Sequence, residues 1–203
     1  MRTIEGILFE PVGCLAEFPA EPFLEIAAGF SGHKKQTSKS GSRAYWHLLN
    51  LMDARHEQGD EALEIESAER ASLYEDVLPA LAELKAMDIR LIVASSLSQG
   101  AVTRFLERCP HTFEAVWTRD NSRGIKAMPL ESALAAAALP AANTMFLTDT
   151  AEGLKVAESV GVNSILMMND PDESRRLAMH KPAGGIVSLH ELPDFIRLLR
   201  AQQ

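Results

Sequence analysis

Short apolar runs separated by helical stretches of about ten residues fix the architecture open to this chain. The runs cover residues 3–9, 89–94, 113–117, 144–148 and 164–168. The first stops at Glu10-Pro11, where proline cannot donate to a ladder. The second stops at Ser95-Ser96, the fourth at Asp149, and the fifth at Asn169-Asp170-Pro171. Between them, residues 77–87, 98–108, 129–139, 152–160 and 191–200 carry helical patterns. Val77, Leu78, Leu81 and Leu84 make one apolar stripe, and Gly161 is placed to end the helix before it. Strands alternating with helices mean βαβ units and a parallel sheet covered on both faces. In such sheets ligands sit outside the carboxyl ends of the strands. Glu10, Ser95 and Asp149 terminate apolar strands there, which makes them the candidate site.

Residues 15–76 break the alternation, with no strand-like run. Residues 21–28, 43–56 and 60–73 read as helices, and 31–42 as a Gly/Ser/Lys-rich loop. The expected organisation is an α/β core from residues 1–15 and 76–203 with a helical insertion over 16–75. Trp46, Leu48 and Leu49 read as the insertion's own core, and the alanine run 135–138 as close helix–sheet packing. His33, His47 and His56 lack metal-ligand spacing.

Charge narrows the partners. Lys plus Arg total 20 against 28 Asp plus Glu, a formal charge of −8. Nucleic-acid binding needs a basic face, so it is not expected. Lys34, Lys35, Lys39 and Arg43 form one basic stretch without an acid, read as a solvated loop or as a means of steering an anion. Cys14 and Cys109 give neither a disulfide framework nor a zinc site, pointing to a reducing cytoplasm. The opening run, interrupted by Glu5, is too short for a signal peptide, and no segment approaches the ~20 apolar residues of a membrane span. A monomer or a homodimer would both suit this composition.

Four motifs, in order, resemble those of the haloacid dehalogenase-like hydrolase superfamily. Ile7-Leu8-Phe9-Glu10-Pro11-Val12-Gly13-Cys14-Leu15 is similar to the family's apolar strand followed by Asp-x-Asp-Gly-Thr-Leu. Leu91-Ile92-Val93-Ala94-Ser95-Ser96 matches a strand ending on Ser or Thr. Lys126-Ala127-Met128-Pro129 resembles Lys-Pro-x-Pro, and Met145-Phe146-Leu147-Thr148-Asp149-Thr150 resembles Gly-Asp-Ser-x-x-Asp. The closing Gly185-Ile186-Val187-Ser188-Leu189-His190-Glu191-Leu192 looks like the family's last strand and helix start. The resemblance implies a Rossmann-like α/β fold with a parallel central sheet and a small helical cap inserted after the first strand.

It also implies phosphatase chemistry. One Asp attacks phosphorus and a second, two residues on, acts as acid and base. Mg²⁺ would be held by position 10, the carbonyl of Val12 and Asp149. Ser95, Ser96 and Lys126 would bind the phosphoryl oxygens of a small phosphorylated or anionic ligand.

The departures fall on that chemistry. Glu10 replaces the nucleophile, and its extra methylene moves the carboxylate by ~1 Å, enough to cost on the order of 100-fold in a tuned site. Val12 replaces the acid/base residue and can neither donate nor accept a proton. Thr148 stands where the family has Gly, and Gly153 where it has a second Asp, with Glu152 beside it. The resulting expectation is a family member with lost or much reduced phosphoryl transfer, acting as a binding or regulatory module. The alternatives are a hydrolase using Glu10, with Ser95 and Lys126 clamping the anion, and a dehalogenase-like enzyme suggested by apolar Val12.

Overall fold

The computed structural model describes residues 4–31 and 40–201. A six-stranded, all-parallel sheet forms its centre. In chain order its strands are β1 (Gly6–Phe9), β4 (Arg90–Ala94), β5 (Ala115–Trp117), β6 (Thr144–Thr148), β7 (Asn163–Met167) and β8 (Gly184–Ile186). Their spatial order is β5-β4-β1-β6-β7-β8. The order reverses at β1, so the crevice between β4, β1 and β6 is where such sheets bind ligands.

Alternation along β1 sends Ile7 and Phe9 to one face and Leu8 to the other. The Leu8 face packs with Ile92 and Phe146 against helices α7 (Ala127–Ala137) and α8 (Ala151–Val160) through Leu130, Ala133 and Ala157. The opposite face is covered by α4 (Val77–Ala86), α5 (Gln99–Leu106) and α10 (Glu191–Ala201), through Leu81, Leu84, Phe105, Leu192 and Ile196. Two short helices, α6 (Arg119–Ser122) and α9 (Pro171–Leu177), lie in the connections after β5 and β7; neither is long enough to show periodicity. Gly161 caps α8 in the left-handed conformation, as its position implied.

Three helices fill the insertion: α1 (Ala20–Ser31), α2 (Gly41–Arg55) and α3 (Glu61–Arg70). Ser40 caps α2 by accepting the Arg43 N–H, and Asp60 caps α3 through the N–H groups of Ala62 and Leu63. The third helix ends three residues before position 73, because residues 72–73 do not continue it. They form β3 (Ser72–Leu73), paired antiparallel with β2 (Ala16–Glu17) where the insertion leaves and rejoins the core. The expectation of no strand in this region is corrected. Two-residue strands carry no hydrophobic period, and only the chain's return brings them together. The basic stretch lies mostly at 32–39, outside the described residues.

The insertion shares the sheet's core. Phe18, Phe23, Tyr45, Leu48 and Leu49 are buried in one cluster with Phe9, Val93 and Phe105. Phe18 lies 5.4 Å from the Phe105 ring, and Phe23 lies 5.4 Å from that of Tyr45. Trp46, Leu48 and Leu49 are buried as expected. Glu64 of α3 and Arg119 of α6 form a buried ion pair at 2.5 and 2.7 Å, 1% and 6% exposed. The alanine expectation is corrected: Ala135, Ala136 and Ala138 face solvent, and the packing face of α7 runs through Leu130 and Ala133. Among the described residues no helix is long and apolar enough to cross a membrane.

Candidate functional site

The central strands deliver polar residues to the carboxyl edge of the sheet. Glu10 follows β1, Ser95 and Ser96 follow β4, Asp149 follows β6, and Asn169 follows β7 after one residue. Parallel register sets these ends side by side, so the topology itself assembles the cluster.

Glu10 is only 3% exposed. Its Oε1 accepts the Ser95 hydroxyl at 2.7 Å and the Val12 N–H at 3.4 Å. Its Oε2 accepts the phenol of Tyr45, from α2, at 3.1 Å. The Tyr45 oxygen in turn accepts the Ser96 N–H at 2.9 Å and lies 3.3 Å from the Ser95 Oγ. Burial raises the Glu10 pKa to about 8, outweighing the hydrogen bonds that favour its charge. At neutral pH this carboxyl holds its proton. Val12 is fully buried, and the Cys14 thiol donates to the Leu147 carbonyl at 3.5 Å.

Lys126 sends only its backbone to this cluster: its N–H donates to the Ser96 Oγ at 2.6 Å. The ammonium turns to α2 and pairs with Asp53 at 2.8 Å. Its backbone, at φ 61° and ψ −106°, is strained for a residue with a side chain, and these two contacts hold it there. The start of α7 also lies two residues earlier than the sequence pattern implied, so Pro129 sits inside the first turn and Lys126 immediately before the helix.

Asp149 lies on the other side of β1. Its Oδ2 accepts the Asn169 Nδ2–H at 3.1 Å, and the Ser42 hydroxyl also bonds to the carboxylate. Its Oδ1 is buried and finds no partner among the described residues. Burial again dominates, raising its pKa to about 6. Asn169 Nδ2 also donates to the Gly13 carbonyl at 2.8 Å. The loop after β1 turns at Gly13, φ 78°, where a Cβ would stand 2.1 Å from the Ser42 Oγ and 2.2 Å from the Asp149 Oδ2. A cleft of about 300 Å³ opens beside Asp149, lined by Glu17, Ser42, Arg43, Asn169 and Asp170 among others. Glu10 does not line it.

Among the described residues no group of three His, Cys, Asp or Glu side chains is placed to hold a metal ion. Position 153 explains part of this. A Cβ there would fall 1.9 Å from the Thr148 Oγ1, so the threonine fills the space that an acidic side chain at 153 would need.

A family model described as haloacid dehalogenase-like hydrolase matches residues 33–167, more than half of the 203-residue chain. The chain belongs to the haloacid dehalogenase-like hydrolase family. The match begins beyond Glu10 and Val12, the two positions where the first motif departs. Among solved structures, L-2-haloacid dehalogenase from Xanthobacter autotrophicus with chloropropionic acid covalently bound is 14% identical. The alignment covers 96% of this chain and 99% of that one, at a TM-score of 0.65. A HAD phosphatase from Thermococcus onnurineus is 16% identical over 95% and 97%, at 0.65. CbbY from Rhodobacter sphaeroides in complex with phosphate is 22% identical over 94% and 96%, at 0.64. These likenesses show the fold. No curated protein matches the chain.

Against the resemblance to this hydrolase family, the structure brings Glu10, Val12, Ser95 and Ser96 into one buried network and leaves the Lys126 ammonium outside it. Asp149 stands apart, tied to Asn169 and Ser42. Tyr45, Ser42 and Asn169 are the residues that the sequence reading passed over. Asn169 carried a signal, since it closes an apolar strand as Glu10, Ser95 and Asp149 do. Tyr45 and Ser42 carried none, because their place depends on how α2 docks.

Proposed function

We propose that this haloacid dehalogenase-like hydrolase no longer transfers phosphoryl groups and serves as a binding module for a small phosphorylated or anionic ligand in the reducing cytoplasm. One observation carries the reading: the Tyr45 phenol occupies the space between Glu10, Ser95 and the Ser96 N–H. Those three groups are what a phosphoryl group would have to meet. The phenol oxygen already takes the Ser96 amide, as an incoming oxyanion would. Glu10 meanwhile keeps its proton at neutral pH, and a neutral carboxyl is a poor nucleophile.

The same geometry speaks against Mg²⁺. A magnesium site needs ionised oxygens converging with open octahedral positions. Glu10 is taken up by Ser95, Tyr45 and Val12, and although Asp149 keeps its buried Oδ1 without a partner among the described residues, no group of three His, Cys, Asp or Glu side chains converges with it there. The residues present do not fit this ion, and no step is routed through it. The cleft beside Asp149 remains the entrance for a ligand; its one cation among the described residues, Arg43, lies 3.9 Å from Asp170 on the same wall. Cys14 and Cys109, both buried and free, suit a reducing compartment.

Hydrolysis of an aryl phosphate and of a phosphometabolite panel in the presence of Mg²⁺ tests the reading. Wild type is expected to be inert. Turnover by wild type that Glu10→Gln removes would overturn the proposal and make Glu10 catalytic.

A further inference from the structure

One amide in the wall of the cleft joins two loops. Asn169 has one nitrogen with two hydrogens, and both are used: one on the Gly13 carbonyl at 2.8 Å, one on the Asp149 Oδ2 at 3.1 Å. Both neighbours are acceptors, so the nitrogen and not the oxygen of the amide faces them. These acceptors belong to different segments, the loop after β1 and the end of β6. A positively polarised centre that ties a backbone carbonyl on one loop to a carboxylate on the next is the structural job a divalent cation performs in an oxygen-lined site. The packing is tight on the Cα side of Gly13. The Ser42 Oγ and the Asp149 Oδ2 both lie within 2.2 Å of where a Cβ on that glycine would stand. The Tyr74 phenol adds a second donor to the Gly13 carbonyl at 3.4 Å.

We infer that Asn169, supported by Ser42, takes the place of a divalent cation in this chain and makes the joined loops of β1 and β6 independent of metal. Asn169 is thus a positioning residue, acting on the loop and on Asp149. The inference deepens the binding-module reading and rests on it for the claim that the fold survived loss of the metal chemistry.

The test is thermal unfolding of wild type, Asn169→Ala and Asn169→Asp, each in EDTA and in millimolar MgCl₂. Wild type is expected to move by less than about 1 °C between the two conditions, because a ligand stabilises only the state that binds it. Asn169→Ala loses both donors, so its midpoint falls and stays unresponsive to Mg²⁺. Asn169→Asp sets a second carboxylate against Asp149, so it falls in EDTA and recovers by several degrees in MgCl₂. A wild-type midpoint that rises with Mg²⁺ overturns the inference, as does Asn169→Asp behaving like wild type in both conditions. Should the aspartate variant fail to fold, the wild-type side-chain NH₂ resonances of Asn169 decide the matter. Unmoved by MgCl₂ they support the inference, and shifted at millimolar metal they overturn it. Phosphatase assays on the same wild-type samples keep the two readings apart. Magnesium binding without turnover defeats only this inference, and metal-independent turnover defeats only the binding-module reading.

Discussion

The Tyr45 hydroxyl donates to the Glu10 Oε2 at 3.1 Å while its oxygen accepts the Ser96 N–H at 2.9 Å. A residue of the insertion thereby joins two strand ends of the sheet, and all three partners are buried. The contact is central to the packing as well, since the Tyr45 ring meets Phe23 and Trp46 at 5.4 and 5.9 Å.

Removing that oxygen alone isolates its energetic role. Tyr45→Phe keeps the ring and leaves the Ser96 N–H and one Glu10 oxygen buried without a partner. An orphaned buried polar group costs about 1–3 kcal/mol. Urea unfolding should show the variant destabilised by an amount in that range, with an unchanged m-value. Phosphatase activity should stay absent, because opening the position does not supply a charged nucleophile. A variant as stable as wild type would show that water replaces the phenol, and that the contact does little to hold the insertion down.

Stability should fall as pH rises from about 4.5 to about 8. Glu10 titrates near 8 in the folded protein against an ordinary 4.5, and Asp149 near 6 against 3.8. Over that interval the native state holds protons that the unfolded chain has released, so raising the pH favours unfolding. The stabilisation is complete below the ordinary values and is lost as pH passes through the folded ones. Asp149 contributes over the lower part of the window, to about 6, and Glu10 over all of it. Thermal midpoints across a pH series should decline in this way for wild type. Glu10→Gln should flatten the upper part, between about 6 and 8, and a variant with the full wild-type slope there would exclude Glu10 as its source.

Much of this architecture was legible in the residues. The apolar runs ending at Phe9, Ala94 and Thr148 declared a parallel sheet because buried strands need continuous hydrophobicity. Their polar terminators declared an edge where chemistry-bearing groups collect. What stayed hidden was direction. Lys126 and Ser95 stand at the positions their motifs assigned, yet the lysine's side chain turns to Asp53, a residue 73 positions away in the insertion. Tyr45 stands beside Trp46 in a stretch that reads as core packing, and it is core packing, with a hydroxyl that reaches Glu10. The β2–β3 pairing was invisible for a related reason: four residues cannot announce a period, and their partnership is a consequence of the tertiary return of the chain.

The Glu64–Arg119 pair fastens α3 to α6 and predicts an asymmetric response. Arg119→Ala should cost about 3–5 kcal/mol, because it strands a carboxylate that burial already pushes toward its neutral form. The double variant Glu64→Gln/Arg119→Met should cost less than Arg119→Ala alone, since it leaves no uncompensated charge. Equilibrium unfolding of the variants measures the difference. A double variant worse than Arg119→Ala would mean that the pair contributes through net attraction rather than through avoided desolvation.

Thr148 and Gly153 should behave as a coupled pair. With threonine at 148, any Cβ at 153 arrives 1.9 Å from its Oγ1 and 2.8 Å from its own Cβ, so something must shift. Gly153 sits in the first turn of α8, where alanine would otherwise favour the helix by about 0.5–1 kcal/mol over glycine. The clash should reverse that sign and make Gly153→Ala destabilising by about 1–3 kcal/mol, the usual cost of overpacking. In a Thr148→Gly background the obstruction is gone, and the same substitution should become neutral or stabilising. The expected interaction energy of the cycle is therefore about 1–4 kcal/mol, overlapping the roughly 0.5–3 kcal/mol seen for contacting residues and reaching past it. Additive effects of the two substitutions would instead mean that α8 slides to make room. In that case the absence of an acidic side chain at 153 would owe nothing to Thr148.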